Sequence, residues 1–168
     1  MDDDEWTSIF ENTAARIGLV GEGTQYYKTS VKNLNLLDIF KKYGSPNYIK
    51  IDIEDADTFV LDILYTSKLK NKPDYISIEL ILINDIKKLL DLGYDKFKLV
   101  PQSQNKIDGH WSAGKIGEEA INFDNKLEWM NTEELYKSIS HCMRLDSKSG
   151  RCLSKTSGEW YDIHAKLK

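Results

Sequence analysis

Cysteine is scarce in this chain of 168 residues. Cys142 and Cys152 are the only two, too few for a disulfide framework and in no CxxC arrangement that would clip a metal, so they read as two reduced thiols. Long apolar runs are missing as well: the longest, Leu80-Ile81-Leu82-Ile83, is far short of a membrane span. A basic surplus is lacking too. The 23 Lys and Arg against 27 Asp and Glu leave a net charge of −4, without the positive field by which a duplex nucleic-acid binder displaces counterions. The lysine groups (Lys41 and Lys42; Lys68, Lys70 and Lys72; Lys87 and Lys88) sit beside acids and read as solvated faces. Asp2, Asp3, Asp4 and Glu5 carry the wrong charge for a signal or transit peptide. The expected compartment is therefore cytoplasmic, with neither nucleic acid nor membrane as partner.

What is present suits one globular core. Hydrophobic residues make up 40%, too many for a disordered chain. A single domain over residues 1–168 is expected, with a poorly defined segment at 1–30 and a long irregular loop over 101–131 that is rich in Gly, Asn and Ser. Within the first segment, Trp6 to Ile17 suggests a short helix and Tyr27 to Val31 alternates like a half-buried strand. Asn35 caps a helix with the stripe Leu36, Leu37, Phe40, Tyr43, which Gly44 and Pro46 end. Tyr48 to Glu54 follows as a strand with three isoleucines on one side. Asp55 then opens a helix bearing Ala56, Val60, Ile63 and Leu64. Tyr75 to Leu80 is another strand, and the 32 residues from Ile49 to Leu80 suit a right-handed β-α-β crossover between parallel neighbours. Leu82, Ile86, Leu89 and Leu90 form a helical stripe stopped by Gly93, and Phe97 to Val100 is a third strand. Asn131 and Glu134 open a last helix from Thr132 to Met143, Lys148 to Gly158 reads as a loop, and Trp160 to His164 closes the chain.

The informative residues stand where two strands end. Period two puts Lys50, Asp52 and Glu54 on one face of their strand, and Glu79 ends the strand expected beside it. Ligands of open parallel α/β sheets bind beyond such ends. Three carboxylates gathered there need a cation or a proton among them. They suit a divalent metal, a substrate hydroxyl or a ligand amino group.

These segments together resemble a known family. Tyr48-Ile49-Lys50-Ile51-Asp52-Ile53-Glu54, then Pro73-Asp74-Tyr75-Ile76-Ser77-Ile78-Glu79, then Leu92-Gly93-Tyr94-Asp95-Lys96-Phe97-Lys98-Leu99-Val100 resemble, in order and spacing, the second half of the FkbM family of S-adenosylmethionine-dependent methyltransferases. Trp129 with Glu133-Glu134-Leu135, and Trp160 to Ala165, fit a branch of that family. The resemblance implies an α/β fold with a partial Rossmann-like, mostly parallel sheet. It also implies S-adenosylmethionine as cofactor, and methyl transfer to a hydroxyl oxygen of a small molecule or sugar. It places Asp52, Glu54, Glu79 and Lys50 in the catalytic region, and implies Asp52 as a ligand where a divalent metal is used. Asp55 departs from the family, which has Gly there.

No hydrophobic strand followed by a Gly-rich turn precedes the acidic strand; Gly18-Leu19-Val20-Gly21-Glu22-Gly23 has the wrong spacing. The cofactor-binding first half is thus expected to be absent. The Tyr48–Glu54 strand would then present an open edge, with Ile49, Ile51 and Ile53 each forgoing roughly 1.5–3 kcal/mol of burial. A protein partner or self-association at that edge is expected. The alternatives are a non-catalytic remnant that binds protein there, and a metal-dependent glycosyltransferase-like reading of Asp52-Ile53-Glu54 or Asp55-Ala56-Asp57 as a DxD site. His110 and Trp111 in the long loop read as an unconstrained surface pair, with closure over a substrate as the alternative. His141 is expected on the solvent side of the last helix, and Asp162 and His164 as a structural pair.

Overall fold

The computed structural model describes residues 30, 32, 34–53, 56–102, 106–107, 110–111 and 128–168. In chain order the elements are α1 (Leu36–Tyr43), β1 (Tyr48–Ile51), α2 (Asp57–Ser67), β2 (Tyr75–Glu79), α3 (Ile83–Leu92) and β3 (Tyr94–Pro101). They continue with β4 (Lys106–Ile107), β5 (His110–Trp111), α4 (Thr132–Cys142), β6 (Met143–Leu145), β7 (Cys152–Ser154) and β8 (Tyr161–Leu167).

Local signals set most boundaries. The Asn35 side chain accepts from the amides of Leu37 and Asp38, and Gly44 ends α1 at φ 88°. Gly93 closes α3 in the left-handed region at φ 101°, where a β-carbon would be strained. Asn131 and Glu134 form a reciprocal capping box on α4. At α2 the expectation differs: Ala56 stands at the N-cap without a side-chain hydrogen bond and Asp57 is the first helical residue. Asp55 lies outside the described residues, as do Gly18 to Gly23, the expected first helix, and the strand expected at Tyr27 to Val31 apart from Ser30.

The four principal strands form one sheet in the order β1-β2-β8-β3. β1 and β2 are parallel neighbours in the expected register, Ile49 beside Ile76 and Ile51 beside Ile78. The rest corrects the expectation of a mostly parallel sheet. β8 runs antiparallel to both neighbours, so β2 and β3 share a direction but are held apart by the last strand of the chain. Residue alternation reveals which face a side chain takes, not the direction of its strand, and Tyr161 to Leu167 reads identically either way. A second correction concerns the expected loop at Lys148 to Gly158. β6 and β7 form a hairpin there (Met143 opposite Ser154, Leu145 opposite Cys152), whose three-residue strands are too short to show a period. The thiols of Cys142 and Cys152 are free.

The register sorts the sheet into two unlike faces. One carries Ile49, Ile76, Ala165 and Phe97 in one row and Ile51, Ile78, Ile163 and Leu99 in the next. These join Phe40 of α1, Leu61 and Leu64 of α2, Ile86 and Leu89 of α3, and Leu135 and Ile139 of α4 in a single core. A bulge between Tyr94 and Lys96 turns Tyr94 onto the same side, opposite Leu167. Tyr94 is buried there and its hydroxyl donates to the Pro73 carbonyl (2.8 Å). The other face is polar: Lys50, Ser77, His164 and Lys98 form one row, and Glu79, Asp162 and Val100 the next, with Asp52 just past the end of β1. Between α2 and α3 a partly buried network adds polar glue. Thr58 donates to Asp85, and Lys88 bridges Asp85 and Asp62 at 3.0 and 2.7 Å. No helix among the described residues is long and apolar enough to cross a membrane.

Candidate functional site

The polar face gathers titratable groups at the carboxyl ends of β1 and β2. Lys50 is the hub: its Nζ lies 3.1 Å from Asp52 and 3.2 Å from Asp162. Asp162 reaches it from β8, 112 residues away, and is 7% exposed at the side chain, whereas Asp52 is 54% exposed. Glu79, partly exposed, stands directly opposite Asp162 in the β2/β8 pairing. Asp57, at the first turn of α2, is fully buried, and neither carboxyl oxygen finds a hydrogen-bond partner of normal geometry.

Electrostatics follow from burial and from who faces whom. Burial pulls the Lys50 ammonium down, but the Asp162 and Asp52 carboxylates outweigh it and hold the group above its usual range. Burial pushes the Asp162 carboxyl up, with Lys50 pulling it back. Burial likewise lifts Asp57 to about 7, partly offset by the nearby amides of Asp57 and Ile53 and reinforced by the Asp52 and Asp162 charges. Asp162 and Asp52 therefore share one ammonium, and their charges add to the burial that favours a proton on Asp57.

In the next row, His164 is brought down to about 4 by burial and by Lys50 and Lys98, so its imidazole is neutral at physiological pH. The Ser77 hydroxyl and His164 Nδ1 are buried without a hydrogen-bond partner. At the far end of this face, Trp129 packs against Tyr75 (ring centroids 6.2 Å apart), and the Lys98 ammonium lies 5.0 Å from the Trp129 ring centre.

Of the residues expected from the sequence, Lys50, Asp52 and Glu79 come to one face of one sheet end. Glu54 lies outside the described residues. Asp162 and His164 do share a face, but Asp162 pairs with Lys50 instead of with His164. His141 is exposed in the last turn of α4, as expected. His110 and Trp111 form the short strand β5 opposite Lys106 and Ile107, apart from the principal sheet. Asp162 and Asp57 are the members that sequence reasoning missed as site residues. In the sequence Asp57 stands out only as part of a DxD motif, and its complete burial leaves it unavailable to a nucleotide-sugar metal. Among the described residues no three acidic, histidine or cysteine groups converge to hold a metal ion, and Lys50 takes the place beside Asp52 that a cation would need.

No family model matches the sequence, and neither a curated protein nor a solved structure matches the chain.

Proposed function

We propose that this chain is a methyltransferase-family protein of the FkbM type, acting on a hydroxyl of a small molecule or sugar. The observation that carries this reading is the order β1-β2-β8-β3 with β8 reversed. Sheets of Rossmann-like methyltransferases finish in that way, the last strand turning back between the two before it. Here the arrangement follows a parallel β-α-β pair, with Asp52 just past the end of β1 and Glu79 at the end of β2. Asp52, the most exposed acid of the cluster, would accept the hydroxyl's hydrogen bond and draw off its proton, while Lys50 holds the carboxylate in place. Asp162 fixes Lys50 from below.

S-adenosylmethionine would supply the methyl group. The described residues contain no glycine-rich strand-to-helix turn to grip it: the left-handed glycines Gly44, Gly93, Gly150 and Gly158 sit at helix ends and in the loops around β7. No step is therefore assigned through the cofactor, and none through a metal.

One observation favours a second reading, a non-catalytic module that binds protein. Lys50 is already neutralised by the chain's own carboxylates, and among the described residues no strand pairs with the outer edge of β1. Titration calorimetry of the full chain with S-adenosylmethionine separates the two. Micromolar binding that Asp52→Asn leaves intact, with methylation lost in that variant, supports the enzyme; no heat up to millimolar cofactor removes it in favour of the module.

A further inference from the structure

The outer edge of β1 is complementary to itself. The Tyr75 amide donates to the Asn47 carbonyl (2.9 Å), and Tyr48 pairs with Tyr75, so the ladder to β2 uses the backbone groups of residues 47, 49 and 51. The N–H and C=O groups of Tyr48, Lys50 and Asp52 point the other way, outward. Beside that edge lies an open groove whose walls include Leu36, Ile49, Ile51, Ile53 and Val60. Ile53, one of those walls, is 37% exposed, and Leu34 and Phe59, close in sequence to Leu36 and Val60, are 63% and 65% exposed. Among the described residues no strand pairs with this edge, and an unpaired strand next to bare apolar side chains is a pairing site.

We propose that the edge pairs with a second copy of this chain, β1 against β1 antiparallel about a two-fold axis through Ile51. That register sets Lys50 opposite the partner copy's Asp52, and Asp52 opposite its Lys50. It makes these the hydrogen-bonded pairs, as their outward backbone groups require. Ile51 meets its own copy on the apolar face, and the bend at Ile53 closes the ladder on either side. Other registers do worse. An axis at Lys50 or at Asp52 sets like charges against each other, and one at Ile49 brings Pro46 opposite Asp52 and leaves both charges unmatched. The chosen register is isologous, as a two-fold demands, and joins two four-stranded sheets into one of eight. The Lys50–Asp52 bridge within each chain becomes a four-charge lattice across the axis. This proposal does not rest on the methyltransferase reading. A polypeptide that completed such a domain at this edge would compete with it.

Sedimentation velocity of the full chain and amide exchange by NMR test it together. A dimer is expected, with exchange at the amides of Lys50 and Asp52 slowing as protein concentration rises, whereas those of Ile49 and Ile51, bonded to β2, are protected at every concentration. Asp52→Lys, at an exposed position, places lysine opposite lysine twice and should weaken the dimer about tenfold or more with an unchanged circular dichroism spectrum. A chain that is monomeric at 0.1 mM (roughly the concentration at which weak but specific pairing is populated) overturns the proposal. So does a dimer in which the Lys50 and Asp52 amides exchange freely. Should Asp52→Lys fail to fold, the wild-type exchange pattern decides alone.

Discussion

Buried groups in and beside the polar face titrate in opposite senses, and the stability of the molecule should record both. Asp57 has its folded pKa lifted to about 7. Between the ordinary aspartate value and about 7 the folded state holds a proton that the unfolded chain has released, so stability falls as pH rises through that window. Asp162, also raised, adds to the same slope. His164 does the reverse. With its folded pKa lowered to about 4, the unfolded chain holds the extra proton between about 4 and the usual histidine value, and stability rises with pH over that range. Each limb is on the order of a few kcal/mol, so they largely cancel in the wild type below about pH 6.5. Urea unfolding from pH 4 to pH 8 should therefore be nearly flat at first and then decline. Asp57→Asn should weaken the decline and expose the histidine's rise, whereas His164→Gln should leave a continuous fall. If both variants keep the wild-type profile, the burial of these groups is not what governs it.

At the scale of elements, the capping signals decide how firmly the core-facing helices are set. α4 carries Leu135 and Ile139 into the core, yet its first turn is solvent-exposed and leans on Asn131. The Asn131 side chain accepts from the Glu134 amide at 3.0 Å while Glu134 accepts from the Asn131 amide at 2.8 Å. Asn131→Ala removes the first bond and loosens the second, and should cost about 1 kcal/mol by chemical denaturation, with faster amide exchange confined to the start of α4. A loss spread evenly over the molecule would mean that the helix is anchored by Leu135 and Ile139 alone. Such elements are legible in a sequence because their cause is local: Asn35 and Asn131 ahead of apolar stripes, and Gly44 and Gly93 behind them. The hairpin of β6 and β7 is not legible, since its strands are held by partners elsewhere in the chain, Met143 by Ser154 and Leu145 by Cys152, instead of by any pattern of their own. The start of α2 falls between these cases. No side chain caps it, and Asp57 is drawn inward by packing that its neighbours in sequence do not announce.

The whole molecule depends on a strand, β8, whose residues the sequence reading leaves as the close of the chain with no strand assigned. Period two correctly brought Lys50 and Asp52 to one face, and crossover length correctly made β1 and β2 parallel neighbours with Glu79 alongside. Nothing in Tyr161 to Leu167 told that this segment enters between β2 and β3, and so nothing told that Asp162 would meet Lys50. Contacts across such separations are fixed by global closure, which residue patterns do not encode. The same closure makes β8 the keystone of the fold. Ile163 and Ala165, at 1% and 0% exposure, fill the core between Ile76 and Ile78 on one side and Phe97 and Leu99 on the other. Both edges of β8 are hydrogen-bonded, so its removal strands the backbone groups of two neighbours at once. A chain ending at Trp160 should consequently show no cooperative thermal transition by calorimetry, although α1 to α4 are intact in its sequence. If it retained a sharp transition with protected amides in β2 and β3, those two strands would have closed on each other directly. The polar face would then be organised by β1 and β2 alone, with Lys50 answering only to Asp52.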